Sequence, residues 1–189
     1  MHHVTQMPIA DSVRLALPVE AAQIAAIQRR SWSQLLTAVL RDAALTQVGV
    51  EEMTEVWHHA ISRPPESRFR VMVAVQERTV VGFGTTTPSG DPDADAVSDG
   101  EIDEFVIDPT AQRRGHGSRL MHACIDTLRA DGFGRAHHWV STSDDVRRQF
   151  FVAAGWAADG GHRELGLDTD DTTLKQIRLH TDITDAAAR

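Results

Sequence analysis

The run Gln112-Arg113-Arg114-Gly115-His116-Gly117-Ser118 combines what a protein needs to hold a phosphate. Two glycines spaced by one residue let the backbone turn its N–H groups inward where a helix begins. The first N–H groups of that helix lack intrahelical partners, its dipole adds partial positive charge, and Arg113 and Arg114 stand beside it. Just upstream, Glu101, Asp103 and Glu104 fall on one short strand. Three carboxylates on a core strand are costly unless they face water or a cleft. A Walker A loop would require Gly-Lys after the turn, and a Rossmann fingerprint a third glycine where Leu120 stands. Both are excluded.

The flanking segments read as strand, loop, helix. Phe105-Val106-Ile107 is closed by Asp108-Pro109, and Leu120, Met121, Cys124 and Leu128 recur at helical spacing until Asp131-Gly132. Strict alternation puts Glu101, Asp103, Phe105 and Ile107 on one face and Ile102, Glu104 and Val106 on the other, unless a bulge shifts the phase.

The remaining pattern is that of one domain over residues 13–181, with 1–12 a flexible N-terminal arm and 182–189 a frayed tail. Its 189 residues are 41% hydrophobic, enough for a sizeable core. Val13 to Leu17 reads as a strand. Helices follow from Pro18, with a break near Ser31 to Ser33, and from Val50 to Ile61, where Pro64-Pro65 stops the pattern. Phe69–Gln76 and Thr79–Thr87 form a hairpin about Glu77-Arg78. Ser89 to Gly100 is an acidic loop, simplest as a solvated connection, with a looser role in drawing cationic acceptors. Ala136 to Thr142 is a strand parallel to 101–107. Asp144 or Asp145 caps a helix through Phe151, and Trp156 onward pairs with Thr173 to Thr181.

The formal net charge of −8, with no run of lysine or arginine, disfavours nucleic acid as a partner. No stretch approaches the ~20 apolar residues of a membrane helix, and the first thirty lack a signal segment, so the expectation is a cytoplasmic protein. Cys124 sits on an apolar stripe as a small hydrophobe. No metal site is expected: His137 and His138 point to opposite faces of a strand, and His58-His59 is off helical ligand spacing. Exposed tryptophans, Trp32 or Trp139 among them, would mark a homodimer interface.

In this context, with Glu101-Ile102 ahead and Gln149-Phe150-Phe151 and Gly155-Trp156 behind, Gln112 to Gly117 resembles the acetyl-CoA pyrophosphate loop of the GNAT N-acetyltransferase superfamily, Gln/Arg-x-x-Gly-x-Gly/Ala. The resemblance covers residues 101–156; the first hundred match in general layout. It implies a mixed α/β (α+β) fold, a mostly antiparallel sheet of six to seven strands flanked by helices and split between two strands to hold acetyl-CoA. It implies that Gln112 to Ser118 bind the pyrophosphate and that backbone groups of Phe105, Val106 and Ile107 bind pantetheine, one N–H polarising the thioester carbonyl.

The implied activity is acetyl transfer to a primary amine of a small molecule or peptide. An alkyl ammonium of pKa ~10.4 is neutral in about one molecule in a few thousand at pH 7, so a base is needed. Glu101 stands where some family members use a glutamate base; Asp103 and Glu104 are rivals as bases or ammonium ligands. The family's Phe-Tyr pair, whose tyrosine protonates the leaving thiolate, is here Phe150-Phe151, and the chain contains no tyrosine. Its frequent Asn-x-x-Ala becomes Asp144 and Arg147. These departures keep open a non-catalytic acyl-CoA-binding sensor on the same fold, and the glycine loop by itself keeps open a nucleotide-binding module.

Overall fold

The computed structural model describes residues 11–166 and 173–184. Most of the expected arm and the last part of the expected tail lie outside these. Seven strands form one sheet in the order β1-β2-β3-β4-β5-β7-β6. They are β1 (Ser12–Leu15), β2 (Arg70–Gln76), β3 (Thr79–Pro88), β4 (Asp99–Ile107), β5 (Arg135–Ser141), β6 (Ala157–Gly166) and β7 (Thr173–Asp182). The β4–β5 pair is parallel and every other pair antiparallel. This is the mixed, mostly antiparallel sheet the resemblance implies.

Helices cover both faces. On one, α1 (Ala21–Leu35) and α3 (Val50–Ser62) pack Ile24, Ile27, Met53 and Trp57 against Val73, Phe83 and Val106. On the other, α4 (His116–Ala130) sets Leu120, Cys124 and Leu128 against Ile102, Phe105 and Val140, joined by Phe151 from α5 (Asp145–Ala153). Cys124 is fully buried, and burial pushes its thiol up to about 12. None of the described helices is long and apolar enough to cross a membrane.

Three boundaries differ from the sequence reading. The first helix does not break at Ser31 to Ser33, because Ser31 and Ser33 hydroxyls each donate to a carbonyl three residues back, at 2.7 Å, and so stay helical. The break falls at Leu36 and Thr37, where Thr37 caps α2 (Ala38–Gln47) by accepting from the Leu40 N–H. The chain is also built in past residue 181: Ile183 is buried, its N–H donates to Gly134 O at 2.9 Å, and its carbonyl accepts from Arg129 at 2.7 Å.

The third difference is the phase of β4. Gly84 pairs with Phe105 and Thr86 with Ile102, so Asp103 and Glu104 together oppose Thr85. This bulge puts Ile102 and Phe105, three residues apart, into the same core. Simple alternation therefore fails midway, and the carboxylates that would have been driven inward are turned out along the α1–α3 side.

The strands β3 and β4 approach closely where they leave the bulge. A Cβ on Gly82 would lie 2.5 Å from Ile107 Cδ1 and 2.8 Å from Val106 O. Gly82→Ala is expected to cost ~1–3 kcal/mol, read as a lower urea midpoint at unchanged slope. Gly132→Ala also strains its backbone, at φ +91, but leaves β4 undisturbed.

Candidate active site

The phosphate loop is shaped by two left-handed residues. After a turn at Pro109–Ala111, capped by Asp108, the chain passes Arg113 at φ 60 and Gly115 at φ 82 and enters α4. Gly115 has no side chain with which to cap the helix. The Arg119 N–H is the first to reach an intrahelical carbonyl, that of Gly115, leaving those of His116, Gly117 and Ser118 for another acceptor. Gln112, Arg113 and Arg114 are exposed around them. The His116 ring is turned inward and buried, with Nδ1 3.2 Å from Arg119, so its backbone alone faces the loop. Uncapped N–H groups flanked by two exposed guanidinium groups fit a diphosphate.

The second feature is a split sheet. β4 and β5 pair at Asp99–Arg135, Gly100–Ala136 and Glu101–His137, and then part. The Asp108 N–H donates to Val81 O at 2.8 Å. Backbone polar groups alternate along a strand, so Val106 turns its N–H and C=O toward β3, while Phe105 and Ile107 turn theirs to the opening. An extended, amide-bearing arm could pair there. At the apex the gap is plugged: His138 Nδ1 lies 2.7 Å from Ile102 O, and its ring stacks on Phe151 at 4.2 Å. Burial pushes His138 down to about 3, so the ring is neutral and Nδ1 is the donor.

The three carboxylates occupy different surroundings. Glu101 is the last β4 residue paired before the split and is buried, with Oε2 3.5 Å from Ser89 Oγ, which in turn lies 3.4 Å from His137 Nδ1. Burial, then the Asp103 and Asp91 carboxylates, push it up to about 7. Glu104 is tied to α1 by Gln28 Nε2 at 3.3 Å, and Gln28 is itself fixed by Trp57 Nε1 at 2.8 Å. Burial and Asp103 push Glu104 up to about 7 as well. Asp103 is also raised by burial, with Arg163 opposing. Asp103 and Glu104, with Gln28, Trp32, Met53 and Trp57, line a cleft of about 610 Å³; Glu101 lies outside its lining.

The acidic loop is not a merely solvated connection. Asp91 and Asp93 both accept from Arg178 of β7, at 3.1 and 2.6 Å, and Asp159 accepts from its Nε at 2.8 Å. The loop is thereby pinned across the far strands. On α5, Asp144 caps the helix and lies 3.3 Å from Arg147 Nε, whose charge faces Glu104 and His138. Phe151 is fully buried among Phe105, His138 and Trp156. Trp139 is buried and Trp32 half-buried, so neither supplies the exposed aromatic surface an interface would use. Gln28, His138 and the Arg178 cluster gave no local signal in the sequence.

Residues 32–156 match the acetyltransferase (GNAT) family. The chain belongs to that family. It is 27% identical over 109 residues to a phosphinothricin N-acetyltransferase of Streptomyces coelicolor, a match spanning 56% of this chain and 62% of that protein. The fold matches an N-acetyltransferase of Staphylococcus aureus Mu50 with a TM-score of 0.72 at 16% identity, over 93% of this chain and all of that one. It also matches the PaiA N-acetyltransferase of Thermoplasma acidophilum, solved with coenzyme A, with a TM-score of 0.67 at 12% identity, over 92% and 99% of the two chains.

Arg178 is buried among its three partners, so Arg178→Gln is expected to cost ~3 kcal/mol in urea unfolding, because the carboxylates lose their counter-charge. Limited proteolysis should then cut within 90–98, where the parent protein resists.

Proposed function

We propose that the protein is a cytoplasmic N-acetyltransferase that uses acetyl-CoA to acetylate a primary amine of a small molecule or peptide. The observation that carries this is the position of Glu101, a buried carboxylate with a pKa near neutrality at the apex of the split between β4 and β5. When bound, acetyl-CoA supplies a thioester that the amine attacks directly.

Each part of the chain has a task in that reaction. The N–H groups of His116, Gly117 and Ser118, with Gln112, Arg113 and Arg114, take the pyrophosphate. The backbones of Phe105 and Ile107 receive the pantetheine arm, and Val106 anchors them to β3. An N–H directed into the opening polarises the thioester carbonyl. Asp103 draws the ammonium to the edge of the cleft nearest the split, where Glu101, two residues back along β4, takes its proton, and Glu104, held by Gln28, adds negative charge beside them. Phe151 has no proton to give; a thiol of pKa ~8.5 leaves as a tolerable thiolate without it. Phosphinothricin is the first acceptor to assay, given the Streptomyces relative.

The pH dependence has a definite sign. Glu101 acts as a base when ionised, and with a pKa of about 7 it is protonated progressively below neutrality. kcat/KM should therefore fall as pH drops through 7, beyond the fall due to the amine itself. Glu101→Gln should remove that limb and lower kcat/KM by ~10²–10⁴-fold while acetyl-CoA affinity stays unchanged. Activity within twofold of the parent would transfer the base role to Asp103 or Glu104. Coenzyme A binding without turnover across a broad amine panel would instead favour the sensor reading, to which the missing tyrosine points.

A further inference from the structure

Two arginines flank the Trp139 ring, and their circumstances differ. The register places them on one face of the sheet: Glu101 pairs with His137, Trp139 lies two residues further on β5 and pairs with Arg178, and Gln176, two residues before Arg178, pairs with Arg163 of β6. Glu101, Trp139, Arg178 and Arg163 thus share the face opposite α4 and α5. There the contacts of α1 and α3 fall on β2, β3 and β4, while the acidic loop lies over β7 through Arg178. On this face Glu101 of β4, Trp139 of β5 and Arg163 of β6 follow one another across the sheet.

Arg178 is saturated. Its Nε, Nη1 and Nη2 all donate to the carboxylates of Asp159, Asp91 and Asp93. Arg163 is held differently. Its Nε donates to Gln176 Oε1 at 2.7 Å, and its guanidinium plane sits 4.4 Å from the Trp139 ring centroid. These two contacts fix the group, while among the described residues its terminal Nη atoms have no hydrogen-bond partner. The residue is half-buried, and its positive charge is felt at both Glu101 and Asp103, where it opposes the effect of burial. An oriented guanidinium with a free fork is built for a planar or tetrahedral oxyanion.

We propose that Arg163 is an acceptor-binding residue that takes an anionic group, a carboxylate or phosphinate, on the same small molecule whose amine is directed to Asp103 and Glu101. The site then recognises a zwitterion: carboxylates receive the ammonium, and the stacked guanidinium receives the acid. The same cation repels acceptors that carry a second amine in place of the acid, so diamines are excluded by charge. This inference rests on the acetyltransferase reading and narrows its acceptor to amino-acid-like molecules.

The test uses matched acceptors in steady state with acetyl-CoA: L-methionine against 3-(methylthio)propylamine, which lacks the carboxylate, with phosphinothricin and putrescine alongside. The parent protein should prefer the acid members. Arg163→Gln should raise KM for them by about 10- to 100-fold at little changed kcat, with the neutral amine unaffected and Arg163→Lys restoring part of the loss. No preference in the parent, or an equal loss on acid and neutral acceptors, would overturn the proposal. If no amine is acetylated at all, the catalytic reading has failed instead. Calorimetric titration of the coenzyme A-loaded protein with phosphinothricin then decides the subsite: binding lost in Arg163→Gln upholds it, and absence of binding in the parent overturns it.

Discussion

Beyond the Glu101–His137 pair the two central strands part, and the backbone N–H and C=O groups that the rest of β4 turns away from β3 face no partner strand. Unpaired backbone groups in a protein interior are costly, so a sheet does not open in this way without something to fill the gap. Here the gap is partly filled from within. His138 donates to Ile102 O at the apex and stacks on Phe151, which keeps the opening from collapsing. The groups of Phe105 and the N–H of Ile107 further along are left for a ligand that can pair like a strand, while the Ile107 carbonyl accepts from Gln112 Nε2 at 3.4 Å.

The rest of the site follows from that opening. The loop after β4 must turn sharply to start α4 against the back of the sheet, and the left-handed Arg113 and Gly115 accomplish the turn without a capping side chain. The bulge at Asp103 and Glu104 keeps Ile102 and Phe105 in the core while turning the carboxylates to the α1–α3 side. Desolvation there holds Glu101 and Glu104 near neutrality, which serves proton transfer and costs stability. The arginine–aspartate cluster at Arg178 fixes the loop that closes over Glu101.

Local features of the sequence were legible. The glycine loop, the helix cap at Asp144 or Asp145, the hairpin turn at Glu77-Arg78 and the stop of α3 ahead of Pro64-Pro65 all act through neighbours in the chain. What was not legible depends on partners far away in sequence. The bulge in β4 is set by pairing with β3, Gln28 reaches Glu104 from 76 residues away, and Arg178 reaches Asp93 from 85. The acidic loop looked solvated because nothing nearby in the chain could neutralise it. Likewise Ser31 and Ser33 looked like a helix break because serine often ends helices, yet here both bond back within one.

The central claim is that the open edge of β4 is the seat of the acyl carrier, and amide hydrogen exchange tests it most directly. In the free protein the Phe105 and Ile107 amides should exchange faster than those of Val106 and Asp108, which face β3. Coenzyme A should slow both, together with the amides of His116, Gly117 and Ser118. Equal protection along β4 in the free protein, or coenzyme A binding that leaves Phe105 and Ile107 unchanged, would contradict the account.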